Sequence, residues 1–238
     1  MLNIENDDTI VALSTATGKG AIAVIRLSGK SCLRIIHKIF TKNIKEDDHQ
    51  RIFPGEIHSQ SDNKLIDQAV VSYFKAPNSY TGEDVIEISC HCNNFIIDQI
   101  ISEAILSGAR IAEPGEFTRR AFLNHKMDLS QAEAVAGIIQ AKTREGLNYS
   151  LRQLEGGLSE KIQILKNSIL DIASLIEVSL DFNEEDVTVY QKKDVITKAQ
   201  EIIVETEKLI HSYNYGRILN EGMKILLLGK PNVGKSSL

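Results

Sequence analysis

Residues 223–238 read MKILLLGKPNVGKSSL and decide the fold class at this end of the chain. The aliphatic run 223–228 predicts a buried strand, and residues 229–236 match the phosphate-loop pattern G-x-x-x-x-G-K-[ST] at every fixed position. In such a loop Lys235 reaches the β- and γ-phosphates, and the Ser236 hydroxyl ligates Mg²⁺. A glycine-rich turn can match by chance, but the strand upstream favours a nucleotide site. The expected contact residues are Asn232, Val233, Gly234, Lys235, Ser236 and Ser237.

The sequence ends at Leu238, directly after this loop. In this fold class the helix behind the loop, a further Mg²⁺ ligand, the water-positioning group and the base-reading residues lie downstream. We therefore expect the rest of the nucleotide-binding domain to be missing from this chain. We expect no catalytic residue for nucleotide hydrolysis within it, and no hydrolysis by the chain alone.

Composition places the chain among ordinary globular proteins. It has 238 residues, 27 Lys and Arg against 32 Asp and Glu, and a net charge of -5, so no global charge favours nucleic acid. The first residues lack the basic and apolar regions of a signal peptide, and no apolar run is long enough to span a membrane. Three cysteines, an odd number, favour a reducing cytoplasm over a disulfide framework.

The first half of the chain mixes strand and helix patterns. Alternating and apolar runs predict strands over 9–14, 21–28, 67–74 and 85–89, with a turn at 17–20 between the first two. Helical patterns cover 31–40 and 95–106, the second ended by Gly108. This alternation predicts an α+β or α/β domain.

The second half predicts long helices, because no proline lies between Gly115 and Lys230. Ser130 and Glu133 have capping-box spacing at the start of one helix, and 192–219 carries a weaker helical pattern. An acidic connector, 181–186, separates the last two helices. An aliphatic stripe at helical spacing predicts core residues at Leu158, Ile162, Leu165, Ile169, Ile172, Ile176 and Leu180. We place an α+β domain at 1–125, an incomplete all-α domain at 126–222 and the start of an α/β domain at 223–238.

Three charges in the first domain stand in apolar surroundings. Arg26 follows an aliphatic run, Glu87 interrupts a strand, and Lys126 follows Phe122-Leu123-Asn124-His125. A buried charge needs an opposite charge, a ligand or solvent access, and a lone charge most often lies on a wet face. The cluster Cys90-His91-Cys92 invites a metal interpretation, but a strand end with two small thiols is favoured because no second ligand pair has metal-site spacing.

Several long stretches resemble the tRNA-modification GTPase family, MnmE or TrmE. They are DTIVA at 8–12, GKGAIAVIRLSG at 18–29, PNSYTGEDVIE at 77–87, PGEFTRRAFLN at 114–124, KMDL at 126–129, QAEA at 131–134 and EGM at 221–223. The resemblance implies an N-terminal folate-binding and dimerisation domain, a helical domain, and a GTPase domain inserted in the helical one. It also implies a homodimer that forms a heterotetramer with an FAD-dependent partner. Together they install a carboxymethylaminomethyl-type group on the wobble uridine of certain tRNAs from a folate one-carbon unit.

The same resemblance implies roles for individual residues. Arg26, Glu87 and Lys126 match the positions that contact reduced folate, with Glu87 facing the pterin and cations facing the glutamate tail. The phosphate-loop residues would bind GTP, Ser236 would ligate Mg²⁺, and Asn232 would help to hold K⁺. The family usually has glycines after its histidine, whereas here Cys92 and Asn93 follow His91. The missing C-terminal part would supply a further folate-contacting lysine.

Two other functions remain open. The chain as it stands is expected to act as a non-catalytic folate-binding and dimerisation module. A stand-alone folate-dependent aminomethyl transferase is the other alternative, and the phosphate loop and the long proline-free region argue against it.

Overall fold

The structure, a computed structural model, describes residues 8–181, 192–221, 226, 228 and 229. The chain divides into two compact units, Met1–Asp128 and Leu129–Leu238, which are described separately below. The predicted nucleotide contacts Asn232, Val233, Gly234, Lys235, Ser236 and Ser237 lie outside the described residues. So do residues 223–225 and 227 of the predicted strand, and the acidic connector after residue 181. The other two residues of that run, Leu226 and Leu228, are 79% and 85% exposed and belong to no strand, because no strand among the described residues pairs with them, which contradicts a buried strand there.

The first unit is built on one mixed six-stranded sheet, which confirms the α+β prediction. Its strands are β1 (Thr9–Leu13), β2 (Ile22–Ser28), β3 (Arg51–His58), β4 (Leu65–Phe74), β5 (Val85–His91) and β6 (Ala109–Ile111). The order is β3-β4-β5-β2-β1-β6, and all neighbours are antiparallel except β1 and β6. The helices are α1 (Cys32–Ile39), α2 (Asn94–Leu106) and α3 (Glu116–Leu123).

The hydrophobic core lies between one face of this sheet and helices α1 and α2. Strand residues alternate between faces, so Ile25 and Leu27 of β2 and Ile88 of β5 are fully buried in that core. Their neighbours Val24, Arg26, Glu87 and Ser89 therefore lie on the opposite face, which we call the distal face. The core thus fixes two of the predicted site residues on one side of the sheet.

Elements β3, β6 and α3 were not predicted from the sequence. Pro54 lies inside β3, where it opposes Val70, and it is tolerated because β3 is an edge strand. Strand β6 has only three residues, too few to show an alternation. Helix α3 has only eight residues and begins directly after Gly115. The φ of Gly115 is 76°, a left-handed conformation that keeps the helix from extending further towards the N-terminus.

The regular elements described in the second unit are all helices. Its helices are α4 (Leu129–Gln140), α5 (Arg144–Leu154), α6 (Gly157–Asp181) and α7 (Lys192–Glu221). The predicted capping box is wrong, because α4 already begins at Leu129 and Ser130 Oγ instead accepts a hydrogen bond from Gln153 Nε2 at 3.2 Å. Thr143 caps α5 by accepting from the Gly146 N–H at 2.9 Å.

The aliphatic stripe of α6 is only partly buried. Ile162, Ile169 and Ile176 are 50%, 54% and 44% exposed, which contradicts their assignment to the core. The described neighbouring helices cover the side of α6 that carries Leu165 and Ile172, which are half-buried, and leave the other half of the stripe to solvent. Within the described part of the chain, no helix has both the length and the apolar character that crossing a bilayer requires.

Candidate functional site

Arg26 and Glu87 form an ion pair at the centre of the distal face. They lie directly opposite each other in the register of β2 and β5. Arg26 Nε donates to Glu87 Oε1 at 2.9 Å, and Nη2 lies 2.7 Å from the same oxygen. Their side chains are 23% and 28% exposed, so both charges are partly withdrawn from water and still accessible. Strand pairing therefore brings together two of the three unusual charges seen in the sequence.

Two aromatic rings flank the guanidinium of Arg26. Its Cζ lies 5.1 Å from the ring centroid of Tyr80 and 5.5 Å from that of Phe117, both within the range of a cation–π interaction. Tyr80 belongs to the loop between β4 and β5, and Phe117 belongs to the first turn of α3. The Tyr80 hydroxyl and Thr118 Oγ1 are hydrogen-bonded at 2.8 Å.

Lys126 lies against the same loop rather than on the Arg26–Glu87 pair. Its Nζ donates to the Pro77 carbonyl at 3.0 Å, and its side chain is exposed. The lysine stem passes over Gly82, where an added Cβ would lie 3.2 Å from Lys126 Cγ. Within the described residues, Lys126 makes no hydrogen bond or ion pair with Arg26 or Glu87.

A buried charge network holds α3 beside this loop. Arg120 is 3% exposed and Glu116 is 2% exposed, and Arg120 Nη2 lies 3.2 Å from Glu116 Oε1. Arg120 Nη1 donates to Glu83 Oε2 at 3.1 Å and to the Asp8 carbonyl at 3.0 Å. Ser28 Oγ donates to the same Glu83 oxygen at 2.7 Å, which ties the network to β2.

Arg110 completes the network from β6. Its Nη2 donates to Glu116 Oε1 at 2.6 Å, and this hydrogen bond lowers the pKa of Glu116 to about 2 although burial opposes ionisation. Glu116 also accepts from the Glu113 N–H at 2.8 Å, near the positive end of the α3 dipole. Glu116 is therefore a fixed anion, paired with Arg110, with Arg120 and, at 3.4 Å, with Arg119.

No individual role was predicted from the sequence for Tyr80, Phe117, Glu116 or Arg120. All four lie in the stretches 77–87 and 114–124 that carry the family resemblance, which was the available signal. Arg120 and Glu116 are four residues apart on α3, but the bonds that join α3 to the loop between β4 and β5 connect segments that are far apart in the chain, so the local pattern does not indicate them. The Arg120–Glu83 bond, for example, spans 37 residues.

The segment that departs from the family pattern has defined contacts. His91 Nδ1 lies 2.7 Å from Asp67 Oδ1, and the Asn93 side chain caps α2 by accepting from the Phe95 N–H at 2.9 Å. Cys90 Sγ donates to the Ala23 carbonyl at 3.7 Å, and burial raises the pKa of that thiol to about 11. Among the described residues, no three His, Cys, Asp or Glu side chains are placed to hold a metal ion.

Both units of the chain match families of known proteins. Residues 9–126 match the family model for the GTP-binding protein TrmE N-terminus, and residues 129–234 match that for the MnmE helical domain. A tRNA modification GTPase MnmE from Alkaliphilus oremlandii is 42% identical over 98% of this chain and 51% of its own length. Proteins of the same name from Thermoanaerobacter pseudethanolicus and Enterococcus faecalis are 44% and 42% identical over 97% of the chain, and over 51% and 50% of their own lengths. The chain therefore spans about half the length of the curated relatives that it matches.

Proposed function

The chain belongs to the tRNA modification GTPase family MnmE, and from that membership we propose that it forms the N-terminal and helical part of a GTP-binding, GTP-hydrolysing tRNA-modification protein. The protein acts as a cytoplasmic homodimer. With an FAD-dependent partner, in a heterotetramer, it adds a carboxymethylaminomethyl-type group to the wobble uridine of certain tRNAs. A reduced folate bound to the first unit supplies the one-carbon unit.

The Arg26–Glu87 pair is the observation that carries the folate part of this proposal. Glu87 Oε1 accepts the hydrogen bond from Arg26 Nε and lies closest to Nη2, and within the described residues Glu87 Oε2 accepts no hydrogen bond and Arg26 Nη1 donates none. The pair therefore offers a free acceptor and a free donor on a partly exposed face. A pterin ring carries amino and ring N–H donors for Glu87 Oε2 and acceptors for Arg26 Nη1, and the charges on the protein side strengthen both bonds.

Lys126 fits the other end of a folate. Among the described residues, its exposed ammonium is bonded to a single carbonyl, that of Pro77, so carboxylates of the glutamate tail can bind it without breaking a buried ion pair. Lys126 lies against the loop that carries Tyr80, and Tyr80 contacts Arg26. The proposed site thus has a donor–acceptor pair for the ring and a separate cation for the tail.

The nucleotide part of the proposal rests on the sequence motif and on family membership. Lys235 binds the phosphates of GTP, Ser236 ligates Mg²⁺, and Asn232 helps to hold K⁺, with Val233, Gly234 and Ser237 completing the loop. Without the downstream groups that hydrolysis needs, the chain alone acts as a folate-binding and dimerisation module. The self-contained core of the first unit supports that activity.

A calorimetric titration of 5-formyltetrahydrofolate into the chain tests the folate proposal. We expect saturable binding that Glu87→Gln weakens at least tenfold, because it removes the charged acceptor. Asp98→Asn is the matched control, since Asp98 is an exposed carboxylate on α2, across the sheet from the distal face. Absence of binding by a folded wild-type chain, or equal effects of both variants, would refute the assignment.

An assay of GTP hydrolysis distinguishes the activity proposed for this chain alone from that proposed for a protein as long as its relatives. The chain alone should show no turnover, and the chain extended to the full length of its relatives should hydrolyse GTP, faster in K⁺ than in Na⁺. An extended chain without turnover would exclude the GTPase part of the proposal.

A further inference from the structure

The rings of Tyr80 and Phe117 contact Arg26 from two separate parts of the fold. Tyr80 comes from the loop before β5, and Phe117 comes from α3, yet both centroids lie within 5.5 Å of the same guanidinium carbon. Both aromatic side chains are half-buried, and Arg26 is 23% exposed. At such a partly desolvated position a cation–π contact is stronger than on an open surface.

The two ring-bearing segments are bound to each other independently of Arg26. The Tyr80 hydroxyl bonds Thr118 at 2.8 Å, and Asn124 Nδ2 donates to the Thr81 carbonyl at 2.8 Å. The buried Arg120–Glu83 pair joins the same two segments. The rings are therefore set in place by the fold and do not depend on the arginine for their position.

Arg26 itself needs such support. Its guanidinium ends a long flexible side chain, and an ion pair with one oxygen of a partly exposed carboxylate restricts it weakly. Two fixed rings reduce the remaining freedom, so that Nη1 is held ready for a ligand.

We propose that Tyr80 and Phe117 are positioning residues, whose rings hold the Arg26 guanidinium against Glu87 so that the pair presents a fixed donor and acceptor to a reduced pterin. The inference rests on the proposed folate function for its ligand. The positioning effect itself exists in the ligand-free protein and can be measured there.

The first test measures hydrogen exchange of the Arg26 Nε–H by ¹⁵N NMR in the ligand-free chain, with the resonance assigned by its loss in Arg26→Lys. The bond to Glu87 should protect this proton. Phe117→Leu and Tyr80→Leu should each accelerate exchange about tenfold, since each removes one cation–π contact. Tyr80→Phe keeps the ring and should retain wild-type exchange within about twofold.

Matched controls separate positioning from general loosening of the fold. Phe95→Leu makes the same change at an exposed ring on α2, away from the distal face, and should leave exchange unaltered. Phe117→Tyr restores a ring and should restore slow exchange. Phe117→Met gives the same test as the leucine variant if that variant does not fold. Unchanged exchange in both ring-removal variants, or equal acceleration in Phe95→Leu, would overturn the inference.

The second test measures 5-formyltetrahydrofolate affinity of the same variants. We expect Phe117→Leu and Tyr80→Leu to raise Kd about tenfold and Tyr80→Phe to leave it nearly unchanged. If the wild-type chain binds no folate but the exchange results hold, the folate function fails and the positioning role stands. If folate binds and the ring variants lose affinity without faster Arg26 exchange, the rings act on the ligand directly and the positioning role is wrong.

Discussion

Arg120 donates to Glu83 at 3.1 Å, and the two side chains are only 4% and 14% exposed. This ion pair joins α3 to the loop before β5, the two segments that carry Phe117 and Tyr80. The same arginine bonds Asp8 and Glu116, so one buried cation is shared by three carboxylates. The geometry of the candidate site therefore depends on a charge network centred on a buried arginine.

Arg120→Ala is expected to be among the most destabilising changes in the first unit. It leaves Glu83 and Glu116 in the interior without their common cation, and breaking a buried ion pair costs about 3–5 kcal/mol. Urea unfolding measures the loss. Arg51→Ala is the control, because the Arg51 side chain is 69% exposed and lies outside the network, so its removal should cost less than about 1 kcal/mol. Similar losses for both variants would contradict the proposed importance of the network.

Stability should fall on acidification because of Glu116. Hydrogen bonding to Arg110 lowers its pKa from 4.5 to about 2, so the unfolded chain binds a proton more readily than the folded one between these values. The ionised Glu116 therefore adds about 3 kcal/mol to the free energy of unfolding. This contribution is fully present above pH 4.5 and is lost as the pH falls towards 2.

Unfolding free energies measured from pH 6 to about pH 2 test this dependence, with that window taken from the Glu116 pKa shift. In Glu116→Gln the part of the slope of unfolding free energy against pH that Glu116 causes should disappear. Glu113→Gln changes a carboxylate that is 65% exposed and should keep that slope. An unaltered slope in Glu116→Gln would show that other groups govern acid unfolding.

Gly82 and Gly115 offer a comparison of crowding at matched backbone angles. Their φ values are 79° and 76°, but a Cβ on Gly82 would lie 2.9 Å from Asn124 Cβ, whereas one on Gly115 meets nothing within 4 Å. Gly115→Ala should cost about 1 kcal/mol from backbone strain alone, and Gly82→Ala should cost about 2–3 kcal/mol. Urea unfolding of the two variants checks the order, and a larger loss at Gly115 would contradict it.

The first unit was largely predictable from local patterns. The alternation in residues 21–28 predicted β2, and the aliphatic run broken by Glu87 predicted β5, because a strand with one buried face has a period of two. Strand β3 escaped prediction since Pro54 and Gly55 interrupt it, and only its position at the sheet edge makes that sequence acceptable.

The candidate site was predictable in part. Arg26 and Glu87 were singled out as charges that needed partners, but their pairing depends on the register between β2 and β5, which neither segment specifies alone. Arg120 was not identified, because its bond to the Asp8 carbonyl spans 112 residues. Local sequence therefore selected unusual side chains, and the sheet register and long-range ion pairs determined what they contact.

Lys126 should matter for the tail of a folate and not for its ring. We expect Lys126→Met to raise the Kd of 5-formyltetrahydrofolate about threefold to tenfold, because a partly exposed cation contributes modestly to binding a carboxylate. The same variant should leave the affinity for a reduced pterin without the glutamate tail unaltered, since Arg26 and Glu87 are unaffected. Calorimetric titration with both ligands measures the difference.

Lys38→Met, at an exposed lysine on α1 across the sheet, serves as the control. Equal losses for both ligands in Lys126→Met would mean that its bond to the Pro77 carbonyl shapes the loop, and that the lysine does not bind the tail.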